Sequence, residues 1–110
     1  MPKLIKYYVD DNNKIPFVEW IESLRDKKFR NRIEARINRI AEFGHYGDKK
    51  SVGDCVFELR FDFGSGYRVY YMEVEGIVVI LLCGGDKSTQ KKDIENAKKY
   101  RKKFIAKSSK

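Results

Sequence analysis

The stretch from Val56 to Asp93, VFELRFDFGSGYRVYYMEVEGIVVILLCGGDKSTQKKD, constrains this chain more than any other. Apolar and polar residues alternate, glycines interrupt them, an apolar run follows and a basic segment closes it. That pattern predicts a meander of strands feeding a helix. Side chains alternate across a strand, so Phe57, Leu59, Phe61 and Phe63 are expected on a core face, with Val56, Glu58, Arg60 and Asp62 on a wet one. Gly64-Ser65-Gly66 supplies a permissive backbone for a turn. The returning run, Tyr67 to Val74, puts Arg68, Tyr70 and Met72 on one face and Tyr67, Val69 and Tyr71 on the other. Ile77 to Cys83 is apolar on both faces, which fits a strand covered from both sides, and it is too short to span a membrane. Gly84-Gly85 ends the sheet, and Asp86, Ser88 or Thr89 is available to cap the helix that follows.

The first half of the chain reads as helical. Leu4 to Val9 is a short strand, followed by the polar turn 10–13. Pro16 suits the first position of a helix, where its missing N–H is not needed. Phe17, Trp20, Ile21 and Leu24 then recur at helical spacing. From Lys28 to Phe43, one stripe holds Phe29, Ile33, Ile37, Ile40 and Ala41, and another holds Lys28, Arg32, Arg36 and Arg39. The short connection predicts a helical hairpin. Residues 44–54 read as a loop with adjacent Lys49 and Lys50, and the last helix spans about Ser88 to Phe104.

The expected fold class is therefore α+β, in the order βααβββα, with an antiparallel meander sheet packed against an N-terminal helical hairpin and a C-terminal basic helix. A chain of 110 residues makes one domain, here residues 1–105, able to bury roughly 65% of its unfolded surface. Residues 106–110 read as a basic tail without order. The N-terminus has no apolar run of signal-peptide length, and two cysteines 28 positions apart support neither a disulfide framework nor a zinc site. A reducing, cytoplasmic setting without cofactor or metal is expected. Charge is unevenly placed: residues 87–110 hold 10 Lys+Arg against 2 Asp+Glu, leaving 14 and 14 for residues 1–86, so the net +8 lies in the last segment. Such a field suits a polyanion or an acidic protein. Lone His45 draws attention as a general base, although a surface loop histidine is the stronger reading.

Five motifs occur in order: Pro16-Phe17-Val18-Glu19-Trp20, Gly47-Asp48-Lys49-Lys50, Glu58-Leu59-Arg60, Gly64 to Tyr71, and Gly84 to Ile94. In this order and spacing they resemble the RelE/ParE superfamily of toxins from type II toxin–antitoxin modules, nearest to the HigB and phage Gp49-like addiction-module killer branch. The resemblance covers nearly the whole chain. It implies a cytoplasmic, growth-inhibiting toxin held silent by a cognate antitoxin, with the activity of a ribosome-dependent, metal-independent mRNA endoribonuclease. In that chemistry the RNA 2′-hydroxyl attacks the adjacent phosphate, charge builds on the non-bridging oxygens and the leaving 5′-oxygen takes a proton. Fixed cations meet such charge, and the planar fork of Arg suits phosphate.

Arg68 matches the strand arginine to which RelE-like toxins assign phosphate stabilisation, and Lys87 falls where they have a basic residue after the last strand. Arg60, from the polar face of the preceding strand, is a third cation. Each has a structural alternative, with Arg60 and Arg68 pairing with Glu58, Asp62 or Asp86 across the sheet. This chain has Glu58 where RelE has a lysine, and about Asp93 where RelE has a tyrosine, so acid and base stay unassigned among Glu58, His45, Tyr70 and Asp93. Tyr70, two residues from Arg68, has the alternatives of stacking on a base, donating a proton or filling the core. Arg32, Arg36 and Arg39, with Lys49, Lys50, Lys91, Lys98 and Arg101, are the nucleic-acid-binding candidates toward the ribosome and mRNA. Two other classes remain: a ParE-like inhibitor of DNA gyrase without nuclease activity, and a degenerate basic nucleic-acid-binding module.

Overall fold

A computed structural model describes residues 1–108. The elements run β1 (Leu4–Tyr7), α1 (Pro16–Ser23), α2 (Lys27–Phe43), β2 (Lys49–Gly53), β3 (Val56–Arg60), β4 (Arg68–Val74), β5 (Val78–Gly85), a short 3-10 turn (Lys87–Thr89) and α3 (Gln90–Ser108). The five strands lie in the order β1-β5-β4-β3-β2, antiparallel except where β1 joins β5 in parallel. The α+β class and the meander stand as expected. No helix among the described residues is long and apolar enough to cross a membrane.

Two expectations are corrected. Part of the segment read as the loop 44–54 is a strand, β2. It is an edge strand exposed along nearly its whole length, so it has no apolar alternation to announce it. The C-terminal segment expected to lack order continues α3 through Ser108, while residues 109 and 110 lie outside the described residues. A tie explains the extension: Asp11 accepts from Lys103 at 2.7 Å and pairs with Lys107 at 3.2 Å, fastening the helix end to the β1–α1 turn.

Local chemistry sets the helix ends. Pro16 opens α1 as expected. Asp26 caps α2 by accepting from the Lys28 N–H at 2.9 Å, and Gly44, at φ 72°, closes it with its N–H on the Ile40 carbonyl. Asp86 is the cap before α3, and Thr89 answers it reciprocally.

The sheet is covered on both faces. Phe17, Ile21, Ile33, Ile37 and Ile40 of α1 and α2 bury Leu59, Phe61, Val69, Tyr71, Val79 and Leu81. On the other face Ala97, with Ile94, Tyr100 and Phe104 of α3 beside it, meets Tyr8, Val56, Tyr70, Met72, Ile80 and Leu82. The β3 face expected to be wet is therefore half wrong: Val56 and Glu58 are buried and only Arg60 and Asp62 reach solvent. A two-period reads which residues share a face but not what covers it, and the basic sequence of α3 hid its docking stripe.

Candidate functional site

The site forms where the strand ends of the meander meet the start of α3. Cross-strand register aligns Arg60 with Arg68 and Arg68 with Gly85, and one step along aligns Lys50 with Glu58, Glu58 with Tyr70 and Tyr70 with Cys83. Residues opposite each other share a face, so these rows all look toward α3.

Glu58 is the anchor and is only 1% exposed. Its Oε2 accepts from the Tyr70 hydroxyl at 3.0 Å and from Gln90 Nε2 at 2.7 Å, and its Oε1 lies 3.8 Å from Arg68 Nε. A buried carboxylate needs such partners, because removing any of them leaves charge in a poor solvent. Burial, reinforced by the Glu58 charge, pushes the Tyr70 phenol well above its ordinary value. Arg68 is 8% exposed, and its Nη1 donates to the carbonyls of Tyr67 at 3.0 Å, Gly66 at 3.1 Å and Phe61 at 3.4 Å. Its Nε is buried without a hydrogen-bond partner. The guanidinium is thus clamped by the Gly64–Gly66 turn on one side and Glu58 on the other. Of the alternatives open for Tyr70, the core position is the one its surroundings match: it is fully buried and held by Glu58.

Two further cations border Arg68. Arg60 ion-pairs with Asp48 at 2.9 Å, and that bond holds the Asp48 carboxyl below its usual value. Lys87 is exposed, forms no ion pair among the described residues, and lays its stem over Gly66. A Cβ on Gly66 would sit 2.9 Å from three of its methylenes, so glycine there lets lysine and turn approach. Beside them, burial pushes the Asp93 carboxyl up, opposed by the Thr89 hydroxyl that donates to it. Gly85 makes room for this pair, since a Cβ there would overlap Asp93 Oδ2.

The other candidates divide among several surfaces. Arg32, Arg36, Arg39, His45, Tyr46 and Gly47 line a groove of about 510 Å³ on α2. A neighbouring groove of about 260 Å³ shares Arg32 and Arg36 and continues to Arg60. Arg36 is mostly structural: Nε donates to the Tyr46 carbonyl at 2.8 Å, and its two other nitrogens hold the Arg60 and Asp48 carbonyls. Arg32 lies 3.9 Å over the Phe63 ring and Lys49 4.3 Å over Tyr46. Lys50 and Lys91 are exposed, Lys98 pairs with Asp54 at 3.6 Å, and Arg101 is half-buried on α3 with its Nε unpartnered. His45 stacks on Phe43 in the α2 groove and is not among the groups around Glu58.

Sequence reasoning missed Gln90 and Asp48. Both lie inside motifs already quoted, Gln90 six positions after Gly84 and Asp48 between Gly47 and Lys49. Gln90 is an uncharged amide just after a predicted buried strand, and Asp48 stands twelve positions before its partner Arg60 in a segment read as loop, so only their place in the motifs could have marked them.

A family model described as phage-derived protein Gp49-like matches residues 19–104. An uncharacterised Haemophilus influenzae protein is 54% identical over 84 residues, which is 76% of this chain and 84% of that protein. A mutant of E. coli toxin RelE in the free state superposes with a TM-score of 0.64 at 16% identity, covering 92% of this chain and 98% of RelE. A chain of the intact E. coli RelBE toxin–antitoxin complex gives a TM-score of 0.58 at 16% identity, with 76% and 95% covered.

Proposed function

The chain belongs to the phage-derived Gp49-like family, and on that premise, with its RelE-like fold, we propose that it is the toxin of a toxin–antitoxin pair that cleaves mRNA on the ribosome. The observation that supports this most is the grouping of Arg60, Arg68 and Lys87 around one glycine turn, with Arg68 fixed by a buried carboxylate. Three preset cations suit the charge that builds on a phosphate in flight.

In the proposed reaction the RNA 2′-oxygen bonds to phosphorus as the bond to the 5′-oxygen breaks, giving a cyclic phosphate and a 5′-oxygen that takes its proton from solvent water. Arg68 and Lys87 face the non-bridging oxygens and Arg60 a neighbouring phosphate. Glu58 and Tyr70 are buried and act as positioning groups for Arg68. Of the four proton-transfer candidates, Asp93 is the best placed: it abuts Gly85, the register partner of Arg68, and its raised pKa makes it a better acceptor for the 2′-hydroxyl proton. The grooves from Arg39 through Arg32 to Arg60 form a track for an RNA backbone leading to the site.

The burial of Glu58 and Tyr70 favours one other reading, a toxin that binds DNA gyrase and does no RNA chemistry. Primer extension on a defined mRNA bound to programmed ribosomes, with a ribosome-free control, separates the two. Codon-phased cuts that fall about 100-fold in Lys87→Ala and Arg68→Lys support the nuclease, given what one oxyanion donor contributes elsewhere. Growth inhibition with gyrase-linked DNA breaks and intact mRNA supports the other.

A further inference from the structure

The two grooves that share Arg32 differ in chemistry. The larger, toward Arg39 and His45, has no carboxylate among its walls. The smaller, of about 260 Å³, has two, Asp48 and Asp62, beside the rings of Phe61 and Phe63. Cationic walls without an acid suit a phosphate, whereas a phosphate in the smaller groove would meet both carboxylates. A cationic peptide there would meet Arg32, Arg36 and Arg60. A flat, uncharged, polar group meets neither objection, and a groove at the small end of ligand sites suits one ring system rather than a long ligand.

The walls are layered. Arg32 lies 3.9 Å from the centre of the Phe63 ring and Arg36 4.5 Å from that of Phe61. Arg36 is fixed, since its nitrogens hold the carbonyls of Tyr46, Asp48 and Arg60. Arg32 is exposed and makes no hydrogen bond or ion pair among the described residues, so the guanidinium face turned from Phe63 is open. A nucleobase stacks on such a plane as it does on an aromatic ring. Arg60 gives Nε and Nη2 to Asp48, which neutralises that acid and leaves Nη1 for a phosphate. Asp62 is different: its charge acts on Arg36, yet its carboxylate accepts no hydrogen bond and forms no ion pair among the described residues.

A carboxylate only accepts, and that selects the occupant. Of the four RNA bases, guanine alone carries two adjacent donors, N1–H and the N2 amino group, on its Watson–Crick edge. Adenine and cytosine set a ring acceptor beside their amino group, and uracil flanks its N–H with two carbonyls. We propose that the smaller groove is a guanine subsite, with the base stacked on Arg32, its N1–H and N2–H on Asp62 and its phosphate on Arg60. Both donors are paired in a duplex, so the subsite takes unpaired RNA. The inference rests on the reading of the protein as an RNA-cutting toxin and adds the base it selects beside the scissile phosphate.

The test uses the full chain without ribosomes and short labelled oligouridylates whose central nucleotide is varied, with affinity read by fluorescence anisotropy at one fixed salt concentration. Guanosine at that position is expected to bind about tenfold tighter than adenosine, with inosine, which lacks only the N2 amino group, in between. Asp62 is exposed and outside the strands, so Asp62→Asn leaves the core intact. That variant is expected to lose the guanosine preference and to gain one for xanthosine, whose N1–H meets the amide oxygen and whose 2-oxo group accepts from the amide N–H. Arg32→Ala is expected to weaken every oligonucleotide alike. Equal affinity for guanosine and adenosine, no binding of any oligonucleotide, or a guanosine preference that survives Asp62→Asn would overturn the proposal. Because the readout is binding, a chain that cuts mRNA on ribosomes without base preference loses only this inference. One that prefers guanosine yet cuts nothing loses only the nuclease reading.

Discussion

Glu58 occupies a position in which one oxygen serves Tyr70 and Gln90 and the other faces Arg68. Truncating it strands a buried guanidinium, a phenol and an amide together, so Glu58→Ala is expected to lower unfolding free energy by about 3 kcal/mol, whereas Glu58→Gln, which still accepts hydrogen bonds, lowers it less. Urea titrations of the two variants measure the difference; equal losses would show that Arg68 does not depend on the charge. Asp93 behaves in the opposite electrostatic sense. Its folded pKa is raised, chiefly by burial, so the folded chain holds its proton to higher pH than the unfolded chain does, and stability declines as pH rises through that window. Asp93→Asn removes this term while keeping an acceptor for Thr89. Its melting temperature relative to the parent is expected to rise across the acid range, and a parallel pair of pH–Tm curves would refute the assignment. Under the nuclease reading the same variant loses cleavage. Arg68 was legible only through the resemblance of the Gly64 to Tyr71 motif to RelE-like toxins; its clamp was not, because the partners come from three separate elements and Gln90 has no charge to draw notice.

At the scale of elements, Gly84-Gly85 shows how a strand end is kept thin. A Cβ on Gly84 would collide with the Trp20 ring, and one on Gly85 with Asp93, so the pair lets α1 close on one face and α3 on the other. Alanine has the better strand propensity, yet Gly84→Ala and Gly85→Ala are each expected to cost about 2 kcal/mol through overpacking. Trp20 fluorescence shifting in the first but not the second would assign each glycine to its face. The strands of the meander could be read because β3 and β4 alternate in sequence between two faces and β5 is an apolar run bounded by turns. β2 escaped because, of KKSVG, only Val52 packs against the core, too little to make an apolar alternation. The parallel seat of β1 on β5 was equally hidden: LIKY fixes a short strand but nothing in it names a neighbour.

Across the whole molecule, charge and chain topology matter more than any single contact. The +8 concentrated in residues 87–110 is partly used internally, since Lys98, Lys103 and Lys107 pair with Asp54 and Asp11, while Lys87 and Lys91 stay free of ion pairs among the described residues. Under the nuclease reading RNA binding is therefore expected to weaken with salt, and Lys87→Ala and Lys91→Ala each to flatten the log–log slope by about 0.7, the single-strand increment per phosphate contact. Asp11→Asn is expected instead to speed amide exchange in the last turns of α3 without changing the slope. Filter binding across a salt series and exchange mass spectrometry check the two. The β1–β5 pairing bears on synthesis as well. Leu4 faces Val78, 74 positions later, so the strand made first waits for the strand made last. While the ribosome is still building the chain, the meander has no fifth neighbour and Arg68 and Lys87 have no finished frame around them. The sheet closes only once β5 has left the exit tunnel, so the nascent chain carries its cations for some time before the frame that fixes them is complete.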